Sequence, residues 1–170
     1  MENLFRLLYN GKNQEENFMN IILHEPEIPV NTGNIGRTCV ATGTKLHLIR
    51  PLGFFIDDKS LKRAGMDYWN SLDVTVYDDF DDFVTRNSNP KIFMVETHAK
   101  KLYTEVAYSF DDFIMFGKET TGIPAELLET YKDTAIRIPM LPETRSLNLS
   151  NAAAIVLFEA LRQNGFNGLQ

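Results

Sequence analysis

The chain has 170 residues, 44% of them apolar and 24% charged, enough for one domain with a substantial core and too few for two. Its net charge of −6 and pI of 5.1 exclude a nonspecific nucleic-acid binder with a basic footprint, but not an RNA enzyme whose cations cluster on one face. There is no apolar run long enough to cross a bilayer and no signal-peptide pattern, and the single cysteine, Cys39, cannot form an internal disulfide; together these predict a cytoplasmic protein without a membrane partner.

Residues 1–18 read as an N-terminal extension with a short apolar patch and a polar linker, so that one domain spans 19–170. Asn20–His24 is the first predicted strand. A loop stiffened by Pro26 and Pro29 follows, and Asn31 to Asn34 offer cap chemistry for a helix of about nine residues that ends at Gly43. Lys45–Ile49 is a second strand, and the strand–helix–strand order predicts a parallel pair. Asp57–Gly65 reads as a short helix with acids first and bases last. Val74–Tyr77 is a strand, and Asp78 or Asp79 caps a helix carrying Phe80, Phe83 and Val84 that stops at Asn87–Pro90. Ile92–Val95 and the wholly apolar Phe113–Phe116 are buried strands. Pro124 opens a helix that runs to about Tyr131, Thr134–Ile138 is the last strand, and a helix from about Asn148 to Arg162 closes the chain. The alternation predicts an α/β domain with a mostly parallel sheet. The acidic runs 78–82 and 111–112 read as solvated helix starts and turns, not as metal sites.

Ligands of open α/β sheets sit outside the carboxyl ends of the strands, and three polar loops fall there: 96–98, 117–122 and 139–148. Gly117 and Gly122 permit a close backbone approach. No phosphate-cradling Gly-x-x-x-x-Gly-Lys-Ser/Thr loop is present, and Gly33-Asn34-Ile35-Gly36 lacks the third glycine of a dinucleotide fingerprint. His24, His47 and His98 are scattered and, with one cysteine, make no metal set. His47 reads as a strand residue with a satisfied ring, and His98 sits at a strand end. Arg37 has a planar fork suited to phosphate or carboxylate, and Asn31 and Asn34 are placed to hold it. Lys59, Lys62 and Arg63, with Arg50 and Arg145, are candidates for a basic patch that the overall charge conceals. A solvated helix face is the competing reading of each.

Three stretches, Asn31-x-Gly33-Asn34-Ile35-x-Arg37, Phe116-Gly117-x-Glu119-x-x-Gly122-Ile123 and Ile138-Pro139-Met140 through Ser146-Leu147-Asn148-Leu149-Ser150-Asn151, resemble in order and spacing the motifs of the SpoU branch of the SPOUT RNA methyltransferases. The resemblance covers residues 19–165, and within the branch the stretch from Glu25 to Ile35 is most similar to the enzymes that methylate a tRNA wobble nucleotide. It implies an α/β knot with a C-terminal deep trefoil, a homodimer, and S-adenosylmethionine as cofactor. By position the cofactor contacts would be Val95, Glu96, Thr97, Gly117, Gly122, Ile138, Met140, Ser146, Leu147 and Asn151. The implied reaction is 2′-O-methylation of cytidine or modified uridine at position 34 of tRNA, a leucine tRNA in particular, without a metal. Arg37, Ser146 and Asn148 would be catalytic, and Asn31, Asn34, Arg37, Lys59, Lys62, Arg63 and Arg145 would bind the RNA. Glu119 belongs to the second motif and is expected to accept loop amides. A target in ribosomal RNA or at another tRNA position, and a non-catalytic binding module of the same fold, are the competing readings.

Overall fold

The computed structural model describes residues 18–55 and 68–170. The expected extension falls outside the described residues except at Phe18, and the helix at 57–65, with Lys59, Lys62 and Arg63, lies wholly outside them. Seven strands form one sheet: β1 (Asn20–His24), β2 (Lys45–Ile49), β3 (Val74–Tyr77), β4 (Ile92–Val95), β5 (Lys101–Leu102), β6 (Phe113–Phe116) and β7 (Ala135–Arg137). Their order is β3-β2-β1-β6-β4-β7-β5, and every pairing is parallel. Among the described residues three α-helices lie between strands, α1 (Pro29–Thr42), α2 (Phe80–Arg86) and α3 (Ala125–Thr130), and α4 (Leu149–Gln163) follows β7.

A parallel sheet covered on both faces needs strands that are apolar throughout. β6 meets this requirement and β1 does so from Ile21 to Leu23, both strands being buried at every position. Ile21, Leu23, Ile114 and Phe116 point to the side covered by α1 and α4, where Ile35, Cys39, Val156 and Leu157 complete the core. Ile22, Phe113 and Met115 point to the other, where Phe83, Tyr77 and Ile123 meet them. The Cys39 thiol is fully buried, and burial pushes its pKa up to about 12, so it is a packing residue.

Three local expectations are corrected. Helix α1 starts at Pro29, so Asn31 and Asn34 lie inside it and no side chain caps it; Glu119, from across the fold, holds the Glu27 and Ile28 amides just ahead of it. β5 was not expected, because a two-residue edge strand has too few positions to show a period. Asp112 is 5% exposed rather than solvated: its carboxylate accepts the Ser109 amide at 2.8 Å and the Lys91 ammonium at 2.9 Å. Asp79, by contrast, caps α2 through the Asp82 amide at 2.8 Å, as a helix-start acid does.

His47 is held within the sheet: Nδ1 lies 2.9 Å from the Tyr77 hydroxyl and Nε2 3.3 Å from Asn20 Oδ1. Burial, then the charges of Lys45 and Arg86, push its pKa down from 6.5 to about 4. Well above pH 6.5 the ring is neutral in both folded and unfolded chains, and its contribution to stability is complete. Between pH 6.5 and 4 the unfolded chain takes up a proton that the folded ring refuses, so stability falls with pH. Urea unfolding should show a loss of about 1.5 kcal/mol on going from pH 6.5 to 5, with a shallower slope in His47→Gln. A wild-type midpoint that stays flat across this window would refute the assignment.

Candidate functional site

The chain reverses its direction of travel across the sheet between β1 and β6, so the loops that follow them diverge and leave a crevice at the carboxyl ends. Reciprocal hydrogen bonds cross-link these loops. The Glu119 carboxylate accepts the Glu27 amide at 2.9 Å, the Ile28 amide at 3.2 Å and Asn31 Nδ2 at 3.0 Å. In return the Glu27 carboxylate accepts the Thr120 amide at 3.1 Å and its hydroxyl at 2.7 Å. Asn31 passes the connection on, since its Oδ1 accepts Asn148 Nδ2 at 3.0 Å. Asn148 Oδ1 then caps α4, accepting from the Ser150 amide and hydroxyl at 2.9 and 2.6 Å. One chain of hydrogen bonds therefore fixes the loops after β1, β6 and β7 to one another.

The loop after β6 is pinched shut. Lys118 and Gly122 exchange backbone hydrogen bonds at 3.1 and 2.9 Å, and Gly122 takes the left-handed φ of 71° that favours glycine. A Cβ on Gly117 would overlap the backbone of Gly122 and Ile123, so only glycine fits there. Beside the loop the Glu25 carboxylate pairs with Lys118 and holds its ammonium above the ordinary value, which uses up that cation locally.

Above these loops opens a cavity of about 620 Å³. Of the residues expected to bind a cofactor, Val95, Glu96, Thr97, Gly117, Gly122, Ile138, Met140, Ser146 and Leu147 line it. Asn151 does not: it is exposed on the first turn of α4, and its amide is drawn to Asn148 Oδ1 at 3.4 Å. Glu96 Oε1 accepts the Thr97 hydroxyl at 2.8 Å, and among the described residues Oε2 has no donor. Asn31, Arg145, Ser146 and Asn148 also line the cavity, and so do His98, Glu119 and Thr120. The sequence had left out Thr120 and its partner Glu27, because a loop acid bonded across the fold has no local signature.

Arg37 and Asn34 lie elsewhere. Both are exposed on α1 and neither lines the cavity. The expectation that Asn31 and Asn34 hold Arg37 is corrected, because Asn31 is committed to Glu119 and Asn148. The Arg37 guanidinium instead rests on the Tyr68 ring, 5.1 Å from its centroid. Arg50 pairs with Asp78 at 2.7 Å, at the far edge of the sheet beside β3, and so does not join Arg145 in one patch. Among the described residues no group of three His, Cys, Asp or Glu side chains could hold a metal ion.

A parallel sheet with a cavity at the carboxyl ends of its central strands, closed by loops of fixed geometry, defines an α/β protein built to hold a small polar ligand. The chain belongs to the SpoU rRNA Methylase family, whose model matches residues 19–158. A Geobacillus stearothermophilus protein is 51% identical over 156 residues, which cover 89% of this chain and 98% of that one. The tRNA (cytidine(34)-2′-O)-methyltransferases of Saccharophagus degradans and Escherichia coli K12 are 49% and 46% identical, over 88% of this chain and 97% and 96% of theirs. A solved structure described as giving insights into "the 2-OH methylation of C/U34 on tRNA" superposes with a TM-score of 0.82 at 37% identity, over 88% of this chain and 97% of its own. The SpoU methyltransferase AviRb of Streptomyces viridochromogenes, in complex with AdoMet, superposes with a TM-score of 0.72 at 25% identity, over 89% of this chain and 62% of its own.

Replacing Glu119 by Ala leaves two loop amides and the Asn31 amide without their acceptor, and should lower the unfolding free energy by about 1–3 kcal/mol. Gly122→Ala carries the left-handed strain of about 1–2 kcal/mol, whereas Gly117→Ala, which forces backbone apart, should destabilise more than either. Urea melts of the three variants test this order, and a Gly117→Ala protein as stable as wild type would contradict it.

Proposed function

We propose that this protein transfers a methyl group from S-adenosylmethionine to the ribose 2′-hydroxyl of the wobble nucleotide of tRNA, cytidine or modified uridine at position 34, and that it works as a cytoplasmic homodimer. The observation that carries the reading is that the loops of all three family motifs meet around one cavity, in a chain 46–49% identical along nearly its whole length to tRNA (cytidine(34)-2′-O)-methyltransferases. The residues present fit such a cofactor. Phe116, Ile138, Met140 and Leu147 offer apolar surface for a base, the open Oε2 of Glu96 can accept sugar hydroxyls, and Gly117 and Gly122 let backbone approach closely. When bound, the cofactor supplies a methyl group already activated by a sulfonium.

The protein's share is then alignment of the 2′-oxygen and relief of its proton. A guanidinium does not give up a proton near neutral pH, so Arg37 acts by holding the phosphate and polarising the hydroxyl. Asn148 has one amide hydrogen committed to Asn31 and its oxygen committed to the cap of α4, leaving the second amide hydrogen for the ribose. Ser146 lines the cavity and offers a hydroxyl to the same sugar, while Arg145 supplies a cation at the cavity wall.

Arg37 stands outside the cavity of its own chain, which suits an RNA site completed by a second copy. Val30 on α1 and Ile155 and Phe158 on α4, 61%, 37% and 46% exposed, are apolar surface that such a copy would cover. The same reading takes residues 138–163 as the threaded part of the family's knot. It is supported by the return of α4 from β7, next to the sheet edge, onto α1 and β6 at the sheet centre.

Incubation with labelled S-adenosylmethionine and unmodified tRNA, followed by mapping of the label, should place a 2′-O-methyl at position 34. Arg37→Ala should bind the cofactor as wild type does and lose about 10²-fold or more in transfer rate. Cofactor binding by wild type with no ribose methylation of any tRNA would rule the enzymatic reading out.

A further inference from the structure

Arg37 draws its support from outside the three motif loops. Its guanidinium carbon lies 5.1 Å from the centroid of the Tyr68 ring, and among the described residues no carboxylate pairs with it. The Tyr68 hydroxyl donates to the Gly33 carbonyl, which in α1 also accepts the amide of Arg37 four residues on. Tyr68 thus touches both ends of the arginine, the charged group through its ring and the backbone turn through its hydroxyl. The ring is itself fixed. Trp69 and Leu72, each 8% exposed, anchor the 68–72 segment in the core. Gly36 lets this segment lie flat on α1, since a Cβ there would stand 3.1 Å from Leu72, 3.5 Å from Trp69 and 3.6 Å from Tyr68.

The type of support matters chemically. A carboxylate would hold the guanidinium by occupying its N–H fork and would neutralise its charge. An aromatic face holds it through the ring quadrupole and leaves all five donors and the full charge available. We propose that Tyr68 is a positioning residue for Arg37, presenting the guanidinium unpaired to the RNA phosphate and ribose; this rests on the methyl-transfer reading above. The ring does the positioning, and the hydroxyl adds registration of the helix turn.

Single-turnover methyl transfer to tRNA should be compared in wild type, Tyr68→Phe, Tyr68→Leu, Arg37→Ala and the Tyr68→Leu/Arg37→Ala double variant, with cofactor Kd measured by equilibrium dialysis. Tyr68→Leu, which removes the ring face, should lose about five- to tenfold in rate with unchanged cofactor Kd. Tyr68→Phe, which keeps the face, should stay within about twofold of wild type. In the Arg37→Ala background Tyr68→Leu should change the residual rate by less than about twofold, because the group it positions is gone. Should the Leu variant not fold, Tyr68→Met makes the same comparison. Full activity in Tyr68→Leu, equal losses in the Phe and Leu variants, or the same loss with and without Arg37 would each overturn the role of Tyr68 while wild type remains active. Absence of transfer by wild type would instead overturn the methyl-transfer reading, and this inference with it.

Discussion

The site depends on one carboxylate. Glu119 accepts two loop amides and the Asn31 amide, and Asn31 accepts in turn from Asn148. The partners stand 88 and 117 residues apart in sequence, so no local segment can form this arrangement by itself. It exists only when β1, β6 and β7 are registered in one sheet. Each bond adds little net stability, about 1 kcal/mol or somewhat more where a charge takes part. The larger effect is the cost of leaving so many polar groups unsatisfied, which makes alternative placements of any one loop unfavourable.

The sheet topology explains why such a clasp is needed. Where strand order reverses between β1 and β6, the connections leave in opposite directions and nothing in the ladder ties them together. The reciprocal use of Glu27 and Glu119, each accepting from the other's loop, closes that gap without filling the crevice. Acidity that appears as a liability in the net charge is thereby put to structural use: Glu27 and Glu119 hold loops, Glu25 holds Lys118, Asp112 holds Lys91 and Asp79 caps α2. Arg37 and Arg145 are left without a carboxylate partner among the described residues.

What could be read from the sequence follows the range of the interactions involved. β1, β4 and β6 fall on the expected residues because each is centred on a continuous apolar run, and β2 and β3 because Leu46, Leu48, Val74 and Val76 alternate with polar residues. The cavity was legible as three polar loops at strand ends, and nearly all the lining residues expected there are in place. The start of α1 was misplaced because Asn31 looks like a local cap, whereas its side chain is spent on Glu119 and Asn148 from inside the helix. The same commitment removes Asn31 as a holder of Arg37. Tyr68 carried no signal at all, since a lone tyrosine acquires this meaning only from the helix it lies against.

These placements fit the chemistry of the proposed reaction. A donor that arrives activated leaves the protein two tasks, to fix the angle of approach and to hold charge where the hydroxyl loses its proton. The first calls for rigid loops, and rigidity here comes from hydrogen bonds whose donors and acceptors are already matched, so that little reorganisation is required when the substrate binds. The second calls for a cation that is held but not neutralised. Had Arg37 been secured by Glu or Asp, its fork would have to break an existing pair to meet a phosphate, and part of the binding energy would go into that exchange. Resting on an aromatic face, it keeps its charge and its donors, and α1 together with the Tyr68 ring decides where they point.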